Sequence, residues 1–267
     1  MKLQNKTILV TGGGSGMGRE LSLQLVSKGA KVIIADINEA GMKETVELAG
    51  MNKNNIFLYT VNIADKKQVE DLAIKVIKMH KYIDGIINNA GIIQPFIKLN
   101  ELEFGTIERI MNINFYGTLY MIKTFLPKLL ERPEAHIVNI SSMGGFLPVP
   151  GQTIYGASKA AVKLLTEGLY AELKDTQVKV TVVFPGAVET NITKNSGVEL
   201  DIDNNAESQS YKMLTPGKAA EIMINAIEKN RYRVCVGKDS SSMDIFYRLM
   251  PKKAVNLISN KMKALLH

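Results

Sequence analysis

The sequence has very few of the residues that form disulfides and metal sites. Its 267 residues include one cysteine, Cys235, and three scattered histidines without a shared motif. One cysteine cannot form an intrachain disulfide, and a cysteine-rich metal site is excluded as well. This usage favours a reducing compartment, and no metal ion is expected.

Long hydrophobic runs are missing too. The polar residues 2–6 lead directly into the first apolar run, residues 7–11. That run is too short for a secretion signal or a membrane span. The pattern therefore predicts a cytoplasmic protein.

The charge balance is basic without being concentrated. The formal net charge is +7 at pH 7, but the lysines are spread along helical stretches and are not massed with interleaved aromatic residues. A solvated basic surface is therefore favoured over a nucleic-acid interface. With 46% hydrophobic residues, the chain can bury a substantial core.

Short β-branched runs alternate with longer segments of helical period. Because these runs are apolar throughout, they predict strands buried on both faces, as in a parallel sheet with helices on each side. The sequence thus predicts the α/β class, with one doubly wound Rossmann-type domain spanning residues 1–267. The predicted strands are residues 7–11, 31–35, 56–61, 85–88, 135–140, 178–184 and 232–236.

Two segments depart from this alternation. Residues 191–215 are rich in Asn, Ser, Asp and Glu, which is typical of a flexible substrate flap. Residues 239–267 mix apolar and basic side chains and predict a basic amphipathic tail, with a helix over residues 243–266. Such a tail more often packs over the fold or a partner subunit than on an anionic membrane, so membrane association is the less favoured alternative.

A glycine-rich turn follows the first strand and precedes a helical pattern. Glycines let the backbone approach a pyrophosphate, and the N–H groups of the helix N-terminus face its negative charge. A flexible turn is the alternative, but the strand before it and the helix after it favour nucleotide binding. The candidate contacts are Gly12, Gly14, Ser15, Gly16, Met17 and Gly18.

Asp36 lies at the end of the second predicted strand. A carboxylate there can accept hydrogen bonds from both adenosine ribose hydroxyls and would repel a 2′-phosphate. Positions 15 and 37 hold Ser15 and Ile37, and neither is an arginine or lysine that could neutralise that phosphate. The sequence therefore predicts NAD over NADP. The alternative is that Asp36 caps the following helix.

Tyr155 and Lys159 stand four residues apart, and Ser142 lies thirteen positions before the tyrosine. On a helix the phenol and the ammonium share one face, and a nearby cation favours the phenolate. The tyrosine could then exchange protons nearer neutral pH, while the serine holds a substrate oxygen. The spacing recurs at Tyr170 and Lys174, which we interpret as a surface pair because the matching upstream position is an alanine.

Together these motifs resemble the short-chain dehydrogenase/reductase family, in the branch with TGxxxGxG and YxxxK patterns. The resemblance covers nearly the whole chain. Six motifs agree in order, namely the turn Thr11 to Gly18, Asp36, the run Asn88-Asn89-Ala90-Gly91, Asn114, the strand end at 140–142 with Tyr155 and Lys159, and Pro185-Gly186 leading to Thr190.

The resemblance implies hydride transfer between a nicotinamide and a carbonyl or secondary alcohol. Tyr155 would be the general acid/base, and Ser142 would orient the substrate oxygen. Lys159 would lower the pKa of the tyrosine and bind the nicotinamide ribose, while Asn114 would hold a water that relays protons from the lysine.

The resemblance also implies further cofactor contacts. Residues after the fourth strand would flank the adenosine half, and residues near Thr190 would approach the nicotinamide carboxamide. Asn62 stands where the family usually has an aspartate, so a weaker adenine contact is expected. At Asn88 and Asn89 a polar turn is the alternative. The added candidates are Ile37, Asn62, Ile63, Asn89, Ala90, Gly91, Pro185, Gly186, Val188 and Thr190.

The expected partners are a small molecule and further copies of the chain. The predicted substrate mouth is mostly apolar, with Gln94 and Gln152 as nearby polar groups, which favours a hydrophobic ketone or alcohol. The resemblance implies a homodimer or homotetramer formed through helices over residues 103–130 and 153–173. The alternative function is a non-catalytic module that binds or senses a dinucleotide.

Overall fold

The computed structural model describes residues 1–198 and 213–262, and within them seven strands form one parallel sheet. The strand order is β3-β2-β1-β4-β5-β6-β7, with helices on both faces, so the predicted doubly wound α/β fold is confirmed. The strands are β1 (Thr7–Thr11), β2 (Lys31–Asp36), β3 (Ile56–Thr60), β4 (Gly85–Asn88), β5 (Ala135–Ile140), β6 (Val178–Pro185) and β7 (Arg233–Val236).

Helices connect the strands and complete the two outer layers. A π-helical segment, Asn112–Gly117, joins the fourth and fifth helices. The helices are α1 (Gly16–Ser27), α2 (Glu39–Leu48), α3 (Lys66–His80), α4 (Phe104–Met111), α5 (Thr118–Leu130), α6 (Thr153–Leu173), α7 (Ile192–Ser196), α8 (Pro216–Glu228), α9 (Lys238–Leu249) and α10 (Pro251–Met262).

The sheet separates two apolar clusters, which explains the continuous apolar runs. Successive side chains of β1 point to opposite faces, so Ile8 and Val10 join one cluster while Leu9 joins the other. Leu21 of α1 belongs to the first cluster and Phe125 of α5 to the second. Every residue of β1 is buried, as expected of a central strand in a parallel sheet.

The glycine turn lies where the strand order reverses, between β1 and β4. In doubly wound sheets, ligands bind outside the carboxyl ends of the strands at this switch point. Gly12 has a φ of +69°, and a Cβ on Gly18 would overlap the carbonyl oxygen of Gly12. The close turn therefore needs glycine at both positions.

The predicted flap and tail differ in detail from the structure. The flap contains the short helix α7, and Val188 forms a β-bridge with Leu214; its residues 199–212 lie outside the described part. The single tail helix predicted over residues 243–266 is wrong, because α9 ends before Pro251 and α10 begins there. Proline lacks an N–H and disfavours helical backbone in the preceding residue, Met250. Residues 263–267 also lie outside the described part.

No helix in the described ranges is long and apolar enough to cross a bilayer.

Candidate active site

A cavity of about 310 Å³ lies at the carboxyl ends of β1 to β4. Its wall combines the glycine turn, the ends of β2 and β4, the residues after β3, and α7. The predicted cofactor residues that line it are Gly12, Ser15, Gly16, Met17, Asp36, Ile37, Asn62, Ile63, Asn89, Ala90, Gly91 and Thr190.

Asp36 joins the end of β2 to the glycine turn. One carboxylate oxygen accepts a hydrogen bond from the backbone N–H of Gly14 (2.9 Å) and the other accepts from Asn38 N–H (2.9 Å). The cap of α2 is Asn38, whose side chain accepts from Gly41 N–H. Asp36 is therefore not the cap of α2, and its carboxylate lines the cavity.

The two asparagines after β4 have different surroundings. Asn89 Nδ2 donates to the carbonyl oxygen of Thr11 (3.0 Å), and the Thr11 hydroxyl accepts from the N–H of Asn89 and of Ala90. Asn88 instead donates to the side chain of Asn139 within the core (2.8 Å). Asn89 thus holds the cavity wall, whereas Asn88 belongs to a buried polar network.

Other predicted cofactor residues do not line the cavity. Gly14 and Gly18 are buried within the glycine turn, and Pro185, Gly186 and Val188 lie outside the cavity lining. A Cβ on Gly186 would overlap the carboxylate of Asp239, which accepts from the N–H of the next residue, Ala187. The polar atoms of Asn62 are partly engaged, because its side-chain oxygen accepts from Ala64 N–H (3.1 Å).

Two parts of the cavity wall escaped the sequence analysis. Asn195 of α7 donates through Nδ2 to the Ser15 hydroxyl (2.9 Å), so α7 contacts the glycine turn. Arg109 of α4 also lines the cavity, and its guanidinium donates to the carbonyl oxygen of Ser196 (3.4 Å). A five-residue helix is too short to show helical periodicity, and these long-range contacts have no local sequence signal.

Ser142 lies beyond the end of β5, close to the tyrosine and lysine of the YxxxK motif. Ser142 Oγ accepts from Gly144 N–H (3.0 Å), and Lys159 Nζ donates to the carbonyl oxygen of Ile140 (3.0 Å). A Cβ on Gly144 would lie 3.5 Å from both Ser142 Oγ and Tyr155 Cε1. The hydroxyl and the phenol ring therefore flank the same point.

The pKa directions differ from the expectation for Tyr155. Burial raises the pKa of its phenol, although the Ser142 hydroxyl acts in the opposite direction. Lys159 Nζ lies 6.0 Å from the tyrosine ring centroid, and burial lowers the pKa of this ammonium to about 8. Burial disfavours the charged form of each group, so it raises the pKa of the phenol and lowers that of the ammonium. The expected lowering of the tyrosine pKa by Lys159 is thus absent from this structure.

Asn114 lies in the π-helical segment and is completely buried. Its side chain accepts from Ile92 N–H (2.9 Å) and donates to Ile92 O (2.9 Å) and Ser158 Oγ (3.0 Å). Both amide hydrogens are therefore used, and a water at this side chain would have to donate to Oδ1. The described contacts give Asn114 the role of a brace between the loop after β4 and α6.

The second Tyr-x-x-x-Lys pair has the surface position that its sequence context predicts. Tyr170 is 42% exposed and its ring lies against Tyr232, with 4.2 Å between centroids. Lys174 is also exposed. Among the described residues, no group of three or more His, Cys, Asp or Glu side chains could hold a metal ion.

The cavity fits the parts of a dinucleotide. Gly12 and Gly16 expose backbone beside the N-terminus of α1, where a pyrophosphate is stabilised, and Asp36 offers carboxylate oxygens to a ribose. At the other end, a Cβ on Gly91 would lie 3.1 Å from Lys159 Nζ, so the ammonium approaches the cavity wall.

Comparisons with known proteins agree with this geometry. The family model for short chain dehydrogenases matches residues 6–200. The chain belongs to this family. It is 33% identical over 262 residues to the putative oxidoreductase SadH of Mycobacterium tuberculosis, covering 96% of this chain and 95% of SadH. It is 30% identical over 256 residues to mouse dehydrogenase/reductase SDR family member 7B, covering 93% of this chain and 78% of that protein.

Solved structures of other short-chain dehydrogenases share the fold. A Burkholderia phymatum short-chain dehydrogenase/reductase in complex with NAD superposes with a TM-score of 0.85, 24% identity and coverage of 94% of this chain and 96% of that one. ElxO with NADP bound gives 0.79 and 26% identity, covering 90% of this chain and all (100%) of ElxO. The short-chain dehydrogenase described here is an NAD(P)-dependent oxidoreductase, and nothing in the comparisons supports the non-catalytic alternative.

Proposed function

We propose that this oxidoreductase transfers a hydride between NAD and a hydrophobic ketone or secondary alcohol, with Tyr155 as the general acid/base. The observation that carries the proposal is the convergence of Ser142 and Tyr155 around Gly144, while Lys159 approaches the cavity wall at Gly91. A carbonyl oxygen placed between the hydroxyl and the phenol would have one group to orient it and one to protonate it.

In the reducing direction, Ser142 donates a hydrogen bond that orients the carbonyl oxygen, and Tyr155 gives its phenolic proton to that oxygen. A dinucleotide held by the cavity residues would, when bound, supply the hydride that the carbonyl carbon gains. Lys159, when protonated, stabilises the phenolate that remains until a proton from solvent restores the phenol. Oxidation of the alcohol reverses these transfers.

The preference for NAD rests on the surroundings of Asp36. Its carboxylate lines the cavity beside the glycine turn, where it would accept from ribose hydroxyls and repel a 2′-phosphate. The nearby guanidinium of Arg19 is already bonded to Glu44 (2.6 and 2.8 Å) and to Gly14 O (2.7 Å). Arg19 therefore does not offset the repulsion in this arrangement.

The role of Tyr155 is tested by Tyr155→Phe, with Tyr170→Phe as the matched control from the second copy of the motif. Turnover is followed by nicotinamide absorbance with a panel of apolar ketones and alcohols. Loss of the proton donor is expected to lower kcat by about 10²–10⁴-fold, with NADH affinity unchanged. Activity of Tyr155→Phe within a few-fold of the parent would contradict the assignment.

A cytoplasmic homodimer or homotetramer is the assembly we favour. Phe104 and Leu164, on α4 and α6, are 83% and 69% exposed in the single chain, and Leu130 at the end of α5 is 47% exposed. Burial of such side chains favours association between copies. Light scattering after size exclusion would measure the assembly, and a monomer at micromolar concentration would contradict it.

Membrane association through the tail remains the less favoured proposal. Ile245 and Leu249 of α9 are exposed beside Arg248, which pairs with Asp244 (3.0 Å). Co-sedimentation of the full chain and of an Ile245→Ser/Leu249→Ser variant with anionic vesicles separates the cases. Equal partitioning would exclude a role for this face.

A further inference from the structure

The N-terminus of the catalytic helix α6 is capped by a side chain from a different segment. The first N–H groups of a helix have no partner within it and need other acceptors. Gln152, the residue before α6, makes no side-chain cap bond, although its carbonyl oxygen accepts from Gly156 N–H (2.8 Å). The N–H groups of Ile154 and Tyr155 must therefore be satisfied from outside the helix.

Gln94, in the loop after β4, supplies that acceptor. Its side-chain oxygen accepts from Ile154 N–H at 2.8 Å and from Tyr155 N–H at 3.0 Å. Gln94 is fully buried, at 0% exposure, so these two bonds are shielded from water. One carboxamide thus holds the backbone of the tyrosine to which we assign the proton transfer.

A second glutamine fixes the first one in place. Gln152 Nε2 donates to the carbonyl oxygen of Gln94 at 2.7 Å, and Gln152 is 4% exposed. The orientation of both carboxamides follows from their partners: a flipped Gln94 would aim its NH₂ at two N–H donors, and a flipped Gln152 would aim oxygen at oxygen. The Gln94 side chain therefore bonds to the backbone of α6, and the Gln152 side chain bonds to the backbone of the loop. Together these bonds hold the loop against the start of α6.

The same loop is bonded to the other parts of the site. Ile92 exchanges two hydrogen bonds with the side chain of Asn114, and Ile93 N–H donates to Ser196 Oγ of α7 (3.0 Å). The loop after β4 also follows Gly91, which lines the cavity. Through Gln94, the loop that borders the cavity is therefore hydrogen-bonded to the backbone of Tyr155.

We propose that Gln94 is a positioning residue, which holds the first turn of α6 so that the Tyr155 phenol stays aligned with Ser142. The proposal rests on the proposed role of Tyr155. Gln94 does not touch the reacting atoms; it acts through two backbone N–H groups. Misplacement of a reacting group by about 1 Å can lower a rate by about 10²-fold. Loss of the two hydrogen bonds to Gln94 is therefore expected to lower kcat rather than cofactor affinity.

Two substitutions at Gln94 separate its acceptor role from its packing. Gln94→Met keeps the approximate side-chain volume but removes the acceptor. Gln94→Glu keeps an oxygen for both N–H groups, and it removes no bond at the other position because Nε2 of Gln94 has no hydrogen-bond partner among the described residues. A carboxylate is also favoured at a helix N-terminus. Gln24→Met is the matched control, since Gln24 donates to Gly217 O (2.8 Å) and lies in the α1–α8 contact.

The full-length variants are compared in kcat, KM, NADH affinity and hydrogen–deuterium exchange of a fragment that covers residues 152–160. Gln94→Met is expected to lower kcat by about 10–100-fold with NADH affinity within about twofold, and to speed exchange of the first-turn amides. Gln94→Glu is expected to restore both kcat and protection, and Gln24→Met to leave both unchanged.

The exchange measurement does not depend on turnover, so it separates this inference from the proposed function. Unchanged exchange in Gln94→Met overturns the positioning role. So does a loss of kcat in Gln94→Glu that equals the loss in Gln94→Met. A loss of kcat in Gln24→Met that equals the loss in Gln94→Met overturns it as well. If the parent reduces or oxidises no compound of the panel, the proposed function fails. The exchange of the α6 fragment then still decides whether Gln94 holds Tyr155.

Discussion

The carboxylate of Asp36 accepts a hydrogen bond from the backbone N–H of Gly14, with 2.9 Å between Oδ2 and the nitrogen. This bond fixes a negative charge against the turn that would receive the cofactor. We expect the Asp36→Asn substitution to raise the affinity for NADPH relative to NADH by about tenfold or more, because it removes the repulsion of a 2′-phosphate while keeping the side-chain shape. Fluorescence titration with both dinucleotides measures the ratio.

Asp71→Asn is the charge-matched control for Asp36, because Asp71 is a partly exposed residue of α3 that pairs with Lys67 (2.6 Å). It is expected to leave the ratio of affinities unchanged. A parent protein that binds NADPH as tightly as NADH would show that Asp36 does not select NAD.

Lys159, which belongs to the proposed catalytic set, is buried in surroundings that disfavour its charge. Burial lowers the pKa of its ammonium to about 8, and its described hydrogen bond goes to Ile140 O. Between pH 8 and the unfolded value near pH 10.5, the unfolded chain holds the proton that the folded chain has lost. The free energy of unfolding should therefore rise with pH across this window.

Lys159→Met is expected to abolish that rise and to increase the free energy of unfolding at pH 7 by about 1–2 kcal/mol, even though it removes activity. The gain is smaller than the burial cost because Ile140 O loses its donor. Denaturant titrations at several pH values test this, with the exposed Lys174→Met as control. If the free energy of unfolding depends on pH equally in the parent and in Lys159→Met, the lowered pKa of Lys159 is contradicted.

The strands of this fold could be predicted closely because each is a short apolar run in a sheet buried on both faces. The bounds of β4 agree with the predicted residues 85–88, where a glycine and two isoleucines lie between Asp84 and the asparagine pair 88–89. The glycine turn and Asp36 could be predicted for a similar reason, since a strand precedes each of them and a helix follows each.

Contacts between distant segments could not be predicted in this way. Asn195 and Ser15 are 180 positions apart, and the Gln94 oxygen meets an N–H 61 positions further along the chain. Neither contact leaves a local pattern. The pKa of Tyr155 also escaped prediction, because helical spacing places the lysine nearby but does not reveal how deeply both groups are buried.

Gly91 lies where the cavity wall meets Lys159, to which we assign the stabilisation of the phenolate. A Cβ there would come within 3.1 Å of both Lys159 Nζ and Asn114 Oδ1, which is closer than ordinary van der Waals contact. We expect Gly91→Ala to displace the ammonium and to lower kcat by about tenfold, since small misplacements of reacting groups are costly. Steady-state kinetics combined with thermal melting separates this effect from a loss of stability.

Gly105→Ala provides the matched control for Gly91, because a Cβ at Gly105 would meet nothing within 4 Å. Gly105 lies in the first turn of α4, where alanine is expected to raise stability by up to about 1 kcal/mol without changing kcat. Equal kinetics for both variants would mean that Lys159 tolerates displacement.

His136 makes the stability of the core depend on pH. Burial, and to a lesser extent the N-terminal ammonium and Lys179, lower the pKa of its imidazole to about 3. The Thr181 hydroxyl donates to Arg231 O (2.6 Å), so its oxygen accepts from His136 Nε2–H (2.8 Å) and the neutral ring fits. Below pH 6.5 the His136 imidazole binds a proton in the unfolded chain but stays neutral in the folded chain. The free energy of unfolding therefore falls as the pH decreases toward 3.

The contribution of His136 to this slope is about 1.4 kcal/mol per pH unit across the window, because one proton is taken up on unfolding. His136→Gln keeps a donor for Thr181 and cannot titrate, so the difference between its unfolding free energy and that of the parent should narrow steadily on acidification. His80→Gln is the control, because His80 is only partly buried and carries a smaller lowering of its pKa. A parallel pH dependence for the parent and His136→Gln would mean that the buried ring takes up its proton without unfolding.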